Sequence, residues 1–477
     1  MDHITRTLVH FSHSLGHKDL SNEVAEQVKY LLLDYLGVAI RGSKTDSSQP
    51  LHRMLSHWPS SGACTVLGTA LQTSPEYAAL ANGTAAHSLE LDDTHRAGSI
   101  HLGVVMFSTA IALSETLSDI TSNQFFPAVV AGYEVAARLG RALQPKFHYE
   151  LGFHPTATCG VFGATVTAAK LLRLTEDQML SAVGIAGSMA AGSLEFLAEG
   201  AWTKRLHPGL AAQNGILAAR LAAEGFRGPA TILEGRDGFL SAYSRNSKPE
   251  LVTQNLGQTF EILRTSIKPH ACCRYMQAPI DGLIELATTN ELRPEQVERV
   301  EIAVLEAGWP LVCEPQERKY SPSNTVDAQF SMPFGAAVAL TFRVANLEQF
   351  APHNFHSPQI RRLMAKVVMT KDVRIEKNFP AEWPALVQVD MTNGQRFEKH
   401  IRFPKGDPEN PLSWEELSAK FCSLAEDVLS KARCEQISKT IGELNPSSAL
   451  RDIWKLASPP ATAATAPVRR VAWSPEA

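Results

Sequence analysis

Apolar residues recur every three to four positions along most of the first 260 residues, and this spacing predicts one helix after another. Ser21 can cap the first long helix and Gly42 can end it. Pro75 behind Ser74 and the capping box from Thr175 to Gln178 mark two further helix starts. Small apolar residues dominate the segments 103–118, 125–143, 156–172, 176–193 and 208–224, which predicts closely packed, buried helices.

The pattern changes after about residue 265. Val300, Ile302 and Val304 occupy every second position, which predicts a strand. Two further arms between 387 and 403 flank Asn393-Gly394, a dipeptide typical of hairpin turns. Helical spacing intervenes at 332–345 and 357–369. These patterns predict an α+β segment with an antiparallel sheet.

The chain therefore divides by pattern into a helical part, an α+β part and a second helical part. We expect these parts to span residues 1–265, 266–405 and 406–458. The remaining residues, 459–477, are rich in proline and alanine, which predicts a disordered tail. A chain of 477 residues also exceeds what one core usually serves, so we expect two domains.

Composition narrows the class of protein. The net charge of −4 provides no field that would attract nucleic acid or an anionic membrane. The N-terminus lacks the features of a secretory signal, and no window reaches the roughly 18 uncharged apolar residues of a membrane span. The seven cysteines form no CxxC pair, which disfavours a zinc ribbon and a secreted disulfide framework. We expect a cytoplasmic protein.

Five short stretches concentrate reactive side chains in otherwise apolar sequence. They are HSLELDDTHRAGSIH at 87–101, GFHPTATCG at 152–160, AEGAWTKRLHPG at 198–209, IKPHACCRYMQAPID at 267–281 and, more weakly, ERKYSPSNTVDAQFS at 317–331. Pro155 behind His154 and Pro208 behind His207 predict helix starts, whose free N–H groups favour anions.

Each stretch also has a purely structural interpretation. The acidic run at 90–96 is typical of a solvated loop, Lys204 and Arg205 could be exposed charges, and Cys272-Cys273 could be two small core residues. A metal site is disfavoured because His95 and His101 are six residues apart, which fits neither one helical face nor an HExxH pair.

Together the stretches indicate acid–base chemistry on an anion. Histidine exchanges protons near neutral pH, while lysine and arginine bind carboxylate or phosphate groups. The sequence has neither a P-loop nor a GxGxxG turn after a strand, so nothing indicates a phosphorylated cofactor. We expect a cofactor-free site for a small polycarboxylate, with proton transfer next to a carboxylate.

At these residues the sequence resembles the MmgE/PrpD family, which includes 2-methylcitrate dehydratase, cis-aconitate decarboxylase and iminodisuccinate epimerase. The matching motifs run in order across about 30–415: LLLDYLGVAIRG, ANGTAAHSLELDDTH, GFHPTATCGVFGAT, GIAGSMAAGSLEFLAEGAWTKRLHPGLAAQNG, GPATILEGRDGF, KPHACCRYMQAPID and PKGDPENPLS. The resemblance implies a mainly α protein, with a large all-helical domain built from both chain ends and an inserted α+β lid. It also implies a homodimer and an active site between these domains, without metal or organic cofactor.

The resemblance implies most of the site residues, and the reactive stretches add Tyr320 and Arg274. Catalytic roles are expected for His101, His154, Lys204, His270 and Tyr320, and substrate contacts for Asp93, Thr94, His207, Lys268, Cys273 and Arg274. The lid histidine of decarboxylases corresponds to His270 or to the position of Cys273, and many relatives have a histidine where Gln277 stands. Lys204 is expected to point into the cleft and bind a substrate carboxylate.

These expectations favour a lyase acting on a small di- or tricarboxylate. Our first hypothesis is dehydration of a 2-methylcitrate-like acid, in which His101 or His154 removes a proton and His270 or Tyr320 protonates the leaving hydroxyl. Decarboxylation of cis-aconitate to itaconate and epimerisation of an iminodisuccinate-like acid use the same site layout. A non-catalytic carboxylate-binding protein is the rival from another class.

Overall fold

The computed structural model describes residues 3–57, 62–118 and 120–459, and it is mainly helical. The predicted disordered tail lies outside the described residues from position 460 onward. The first part contains helices α1 Ile4–Ser14, α2 Asn22–Gly42, α3 Ser48–His57, α4 Pro75–Ala86, α5 Gly103–Ser114, α6 Ser122–Leu143, α7 Pro145–Glu150, α8 Pro155–Thr158, α9 Gly160–Leu171, α10 Glu176–Gly187, α11 Phe196–Glu199, α12 Thr203–Ala223, α13 Phe239–Ala242 and α14 Glu250–Thr253.

Ten helices follow in the rest of the described chain. They are α15 Gln277–Thr289, α16 Trp309–Val312, α17 Gln316–Lys319, α18 Thr325–Gln329, α19 Met332–Phe342, α20 Pro358–Met364, α21 Val373–Glu376, α22 Trp414–Ala425, α23 Lys431–Gly442 and α24 Arg451–Leu456. The strands are β1 Cys64–Thr65, β2 Gln72–Thr73, β3 Thr94–His95, β4 Thr265–Ser266, β5 Val297–Ala303, β6 Val367–Thr370, β7 Ala385–Met391 and β8 Arg396–Ile401.

Four of the helix starts predicted from local signals are confirmed. The Ser21 hydroxyl accepts a hydrogen bond from the Val24 amide at 3.2 Å, and α2 ends at Gly42. Pro75 occupies the first turn of α4, and Thr175 forms the capping box that starts α10. Pro155 likewise stands at the start of α8, directly after His154. These signals depend only on neighbouring residues, which is why the sequence alone reveals them.

Helix α12 begins at Thr203, so the prediction that Pro208 starts this helix is wrong. The residues from Thr203 onward already adopt helical backbone, and the missing N–H of Pro208 costs the helix one hydrogen bond. One turn of α12 packs very closely against α4. A Cβ at Gly209 would lie 2.3 Å from the Leu80 carbonyl oxygen, so this approach requires glycine. The contact places the start of α12 beside the segment that follows α4.

The middle of the chain contains a four-stranded sheet in the order β6-β5-β7-β8. Strands β5, β7 and β8 pair antiparallel, and Asn393-Gly394 joins the last two as predicted. The predicted antiparallel pairing thus holds for three of the four strands, whereas β6 pairs parallel to β5. The helix predicted at 357–369 is also too long, since α20 ends at Met364 and the β-branched run from Val367 forms β6.

Helices from the two ends of the chain pack together, since α22 and α23 lie against α2. The Lys420 ammonium on α22 forms an ion pair with Asp34 on α2. It also donates to the carbonyl oxygens of Leu91 at 3.0 Å and Lys268 at 2.8 Å. The division of the chain into domains at 265 and 405 stays a prediction. Within the described ranges, every helix is too short or too polar to span a lipid bilayer.

Candidate active site

A cavity of about 280 Å³ lies where the start of α12, the segment after α4 and the segment before α15 meet. Its polar lining consists of Glu90, Thr94, Ser99, His101, Tyr149, His154, Lys204, Cys273, Arg274 and Tyr275. Its apolar lining consists of Leu194, Phe196, Leu197, Ala307, Pro310, Leu311, Phe330 and Trp383. The cavity therefore combines charged and imidazole groups with a large apolar surface.

Two histidines share one buried carboxylate at the floor of the site. The Nδ1 atoms of His87 and His101 lie 2.8 and 2.9 Å from the same Asp92 oxygen. Burial raises the pKa of Asp92, but the two imidazoles and Lys268 outweigh it and hold the pKa well below its usual range. Asp92 is therefore a carboxylate, and it orients His101 together with the Asp93 carbonyl oxygen, which lies 2.9 Å from the same Nδ1. With Nδ1 bound in this way, Nε2 is the nitrogen of His101 left to act on a ligand.

A second carboxylate, Glu90, lies between two lysines. It forms an ion pair with Lys204, and its other oxygen lies 3.9 Å from Lys268 Nζ. Burial raises the pKa of Glu90, yet the two ammonium groups lower it to about 2. Glu90 also has a left-handed backbone with φ of 56°, an uncommon conformation for a non-glycine residue that is found at functional sites. Both ends of this ion pair line the cavity.

His154 lies in the cavity wall with His207 behind it, and their Nδ1 atoms are 3.0 Å apart. One ring therefore carries its proton on Nδ1 and donates it to the Nδ1 of the other ring. Burial, reinforced by His207, lowers the pKa of His154 well below its ordinary value. Burial and Lys204 lower the pKa of His207 to about 4. Both rings are therefore neutral at physiological pH.

The segment before α15 completes the cavity with Cys273, Arg274 and Tyr275. The Arg274 guanidinium forms an ion pair with Asp407 and lies 5.4 Å from the centre of the Trp383 ring. Tyr275 stacks on the same ring at 4.3 Å. These contacts hold a cation at the cavity wall.

Six of the eleven predicted site residues line the cavity: His101, His154, Lys204, Thr94, Cys273 and Arg274. The other five lie behind the wall or farther away. His207 contacts His154, and Lys268 is buried beneath Glu90 and Asp92, 3.9 Å from each carboxylate. The Asp93 carboxylate accepts from Tyr133 and from the Gly103 amide at the start of α5, so it points away from the cavity.

The structure separates His270 and Tyr320 from the other predicted catalytic residues. His270 Nε2 lies 2.8 Å from Asp281, and its backbone amide donates to Gln277. The Tyr320 hydroxyl donates to the Val367 carbonyl at 2.6 Å. Both polar groups thus form hydrogen bonds with residues between 266 and 405, and neither residue belongs to the cavity lining. The predicted roles of these two residues as acids at the reacting centre have no support in this geometry.

Tyr320→Phe tests this placement. We expect kcat/KM to stay within about twofold of the unmodified protein, because the lost hydroxyl bonds only backbone. Stability should fall by about 1 kcal/mol, the usual contribution of one such hydrogen bond. Steady-state kinetics and urea unfolding would measure the two effects. A drop in kcat/KM beyond about tenfold with the fold intact would place Tyr320 at the reacting centre instead.

The burial of Asp93 can be tested through the pH dependence of the unfolding free energy. Burial, partly offset by the Tyr133 hydrogen bond, raises its pKa from 3.8 to about 7. Its protonated form therefore stabilises the fold below about pH 4, and this stabilisation is lost as pH rises through 7. Asp93→Asn cannot ionise. Between pH 5 and 7 we expect the unfolding free energy to fall more steeply in the unmodified protein, by up to about 1.4 kcal/mol per pH unit.

Urea unfolding of both proteins at matched ionic strength measures that difference directly. Parallel pH profiles, or a variant that loses relative stability as pH rises, would contradict the assignment of a neutral buried Asp93.

One group among the described residues could in principle hold a metal ion, namely His87, Asp92 and His101. Both imidazole nitrogens lie at hydrogen-bond distance from one shared carboxylate oxygen. A metal would instead take each nitrogen at about 2.0–2.1 Å with its lone pair directed at the ion. We interpret the group as a hydrogen-bonded triad. His95, the third histidine of the motif, pairs with Glu261 away from the cavity.

The predicted site left out four polar residues of the cavity, Glu90, Ser99, Tyr149 and Tyr275. Glu90 stands in the acidic run that the sequence singled out, two residues before Asp92. Only the fold shows that it faces Lys204 and not solvent. Tyr149 donates within a small network with Ser99, at 2.8 Å between hydroxyl oxygens. No pattern in the sequence around Tyr149 marks it.

Comparison with known proteins assigns the chain to a family. Residues 6–252 match the MmgE/PrpD N-terminal domain and residues 270–444 match the MmgE/PrpD C-terminal domain. The chain belongs to the MmgE/PrpD family, as the motifs predicted.

Individual relatives share about a quarter of their residues with the chain over nearly its whole length. A cis-aconitate decarboxylase-like protein of Aspergillus oryzae is 27% identical over 95% of the chain and 97% of its own length. A cis-aconitate decarboxylase of Aspergillus terreus is 26% identical over 91% of both chains. The human cis-aconitate decarboxylase is 26% identical over 97% of both chains.

Proposed function

We propose that this protein is a cofactor-free lyase that decarboxylates cis-aconitate or a closely similar tricarboxylate. The observation that carries the proposal is the cavity with two kinds of lining. Lys204, Arg274 and two histidines provide the polar lining, and aromatic and aliphatic side chains provide the rest. The names of the relatives support the same reaction.

The cations bind the carboxylates that the substrate retains. Lys204 has three donors and uses one for Glu90, so it can also bind a substrate carboxylate. The Arg274 guanidinium keeps a fixed position through Asp407 and Trp383. Glu90 limits the net positive charge at this end of the cavity. Glu90 therefore favours a ligand whose carboxylate approaches Lys204 from within the cavity.

The apolar lining, which includes Phe196 and Phe330, faces the carboxylate that leaves. A carboxylate in an apolar environment loses hydration, whereas neutral carbon dioxide does not need it. The bond from the methylene carbon to this carboxylate breaks, and its electron pair forms the new double bond. The original π pair moves to the carbon next to a retained carboxylate. Lys204 and Arg274 stabilise the enolate-like charge that develops there.

His101 is the group we assign to protonate that carbon. Its Nδ1 lies 2.9 Å from Asp92, which orients the ring and leaves Nε2 to act on the ligand. His154 has only a neutral imidazole partner, and burial lowers its pKa so far that at neutral pH it has no imidazolium proton to give. One proton enters for each carbon dioxide released, so the product is itaconate. His154 then serves to position a substrate carboxylate.

Decarboxylation fits this cavity better than dehydration of a 2-methylcitrate-like acid. Dehydration needs an acid beside the leaving hydroxyl, and His270 and Tyr320, our expected donors, are bonded elsewhere. An epimerase needs two opposed acid–base groups on either face of one carbon. Here the two candidate histidines, His101 and His154, both contact the His87 ring and thus share one side.

A panel of acids tests the reaction class. The protein is incubated with cis-aconitate, trans-aconitate, citrate, 2-methylcitrate and iminodisuccinate, and released carbon dioxide and the products are measured. We expect carbon dioxide and itaconate from cis-aconitate alone. Water loss from 2-methylcitrate without decarboxylation would restore the dehydratase hypothesis. Binding without turnover would favour a carboxylate-binding protein. The homodimer and the cytoplasmic location stay predictions.

A further inference from the structure

A second, larger groove of about 600 Å³ lies behind the wall of the catalytic cavity. Three segments form the shared wall, and each contributes adjacent residues to opposite sides. Leu89, Arg205 and Gln329 face the groove, whereas their neighbours Glu90, Lys204 and Phe330 face the cavity. Successive residues on a helix point about 100° apart, which explains how Lys204 and Arg205 on α12 serve two sites.

The Arg205 side chain is the unusual feature of this groove. The residue is 9% exposed, and its guanidinium has one hydrogen bond, to the Ser47 hydroxyl at 3.1 Å. Among the described residues, no carboxylate lies within ion-pair distance of it. Buried charges are normally paired, because burial removes hydration that only a partner replaces. Glu90 and Asp46 attract the guanidinium from beyond ion-pair distance, so among the described residues no anion contacts it directly.

Two further cations line the same groove. Lys44 is exposed and forms no ion pair with the described residues, and Arg41 pairs with Asp427 at 3.3 Å. Asp46 is the one acidic side chain in the lining. The balance of charge around Arg205 is therefore positive. The remaining lining is polar or apolar, with Val326, Leu347, Phe350, Pro352 and Phe355 forming a continuous apolar side.

We propose that this groove binds a small organic anion, with a carboxylate or phosphate head at Arg205 and Lys44 and an apolar body against Phe350 and Phe355. The planar guanidinium suits either oxyanion. The groove joins α2 and α12 to the segment 323–355, so a bound ligand contacts both the helical part and the inserted segment. The inference does not depend on the reaction proposed above.

Binding to the full chain tests the proposal, with 4-phenylbutyrate and phenyl phosphate as separate probes in isothermal titration calorimetry. We expect at least one probe to bind with Kd below about 10 mM, and uncharged 4-phenylbutanol to bind more weakly. The two probes distinguish a carboxylate ligand from a phosphate ligand. Arg205→Gln should weaken binding roughly tenfold or more, and Lys44→Gln at least about threefold.

Two variants serve as matched controls. Arg53→Gln removes an exposed charge outside the groove, and Lys204→Met removes the neighbouring cation that faces the cavity. Neither should change probe affinity. Lys44→Gln alters an exposed side chain, so it remains informative if Arg205→Gln does not fold. Three results would each overturn the proposal: absence of probe binding, an affinity in Arg205→Gln and Lys44→Gln equal to that of the unmodified protein, or loss of binding in Lys204→Met.

Discussion

Replacing Lys204 by methionine should lower kcat/KM for cis-aconitate at least about 100-fold, the equivalent of about 2.7 kcal/mol. Lys204 faces the cavity and forms an ion pair with Glu90. Its removal takes away a cation that binds the substrate and leaves the Glu90 carboxylate unpaired at the cavity wall. Both changes disfavour a tricarboxylate. Steady-state kinetics with the purified variant measures the effect.

A double variant separates these two contributions. Glu90→Gln together with Lys204→Met removes the repelling carboxylate as well as the cation, so it should recover part of the lost kcat/KM. Lys204→Arg keeps the charge and should retain more activity than Lys204→Met. Full activity in Lys204→Met, with the fold intact, would contradict the carboxylate-binding role.

His101→Asn should lower kcat by about 10² to 10⁴, the usual contribution of a positioned acid or base, with KM changed less than about threefold. His101 lines the cavity, and Asp92 holds its Nδ1. Asp92→Asn should also lower kcat strongly, because the neutral amide no longer holds the His101 ring through a charge-assisted hydrogen bond. A group that acts in the transition state changes kcat more than KM, which distinguishes this role from substrate binding.

His353→Asn is a suitable control, because its imidazole is exposed and remote from the cavity lining. It should leave both constants unchanged. If His101→Asn kept kcat while His154→Asn lost it, the assignment of the two histidines would have to be reversed.

Local chemistry explains which parts of the fold were predictable. Ser21 and Thr175 cap helices through contacts within three residues, and Asn393-Gly394 closes a hairpin between adjacent strands. The pairing of β6 with β5 joins residues about 65 positions apart, and nothing in either strand specifies a parallel partner. The helix start predicted at Pro208 was wrong. Proline often stands in the first turn of a helix, but here the five preceding residues already form the helix.

The same distinction applies to the site. Motifs identified His101, His154 and Lys204, whose segments converge through the close contact of α12 with α4. They could not show that the hydroxyl of Tyr320 is bonded to the Val367 carbonyl, which depends on how the inserted segment folds. Adjacent residues in one motif also serve different purposes. Asp92 orients His101, whereas Asp93 is bonded to Tyr133 and to the start of α5.

Proton NMR of cis-aconitate with the protein in deuterated water tests directly whether the protein is a decarboxylase in which His101 donates the proton. We expect itaconate with one deuterium on the saturated carbon, because His101 delivers one solvent-derived proton for each carbon dioxide released. His101→Asn should suppress this product. Water addition or loss, or deuterium exchange with all three carboxylates retained, would contradict the assignment of a decarboxylase.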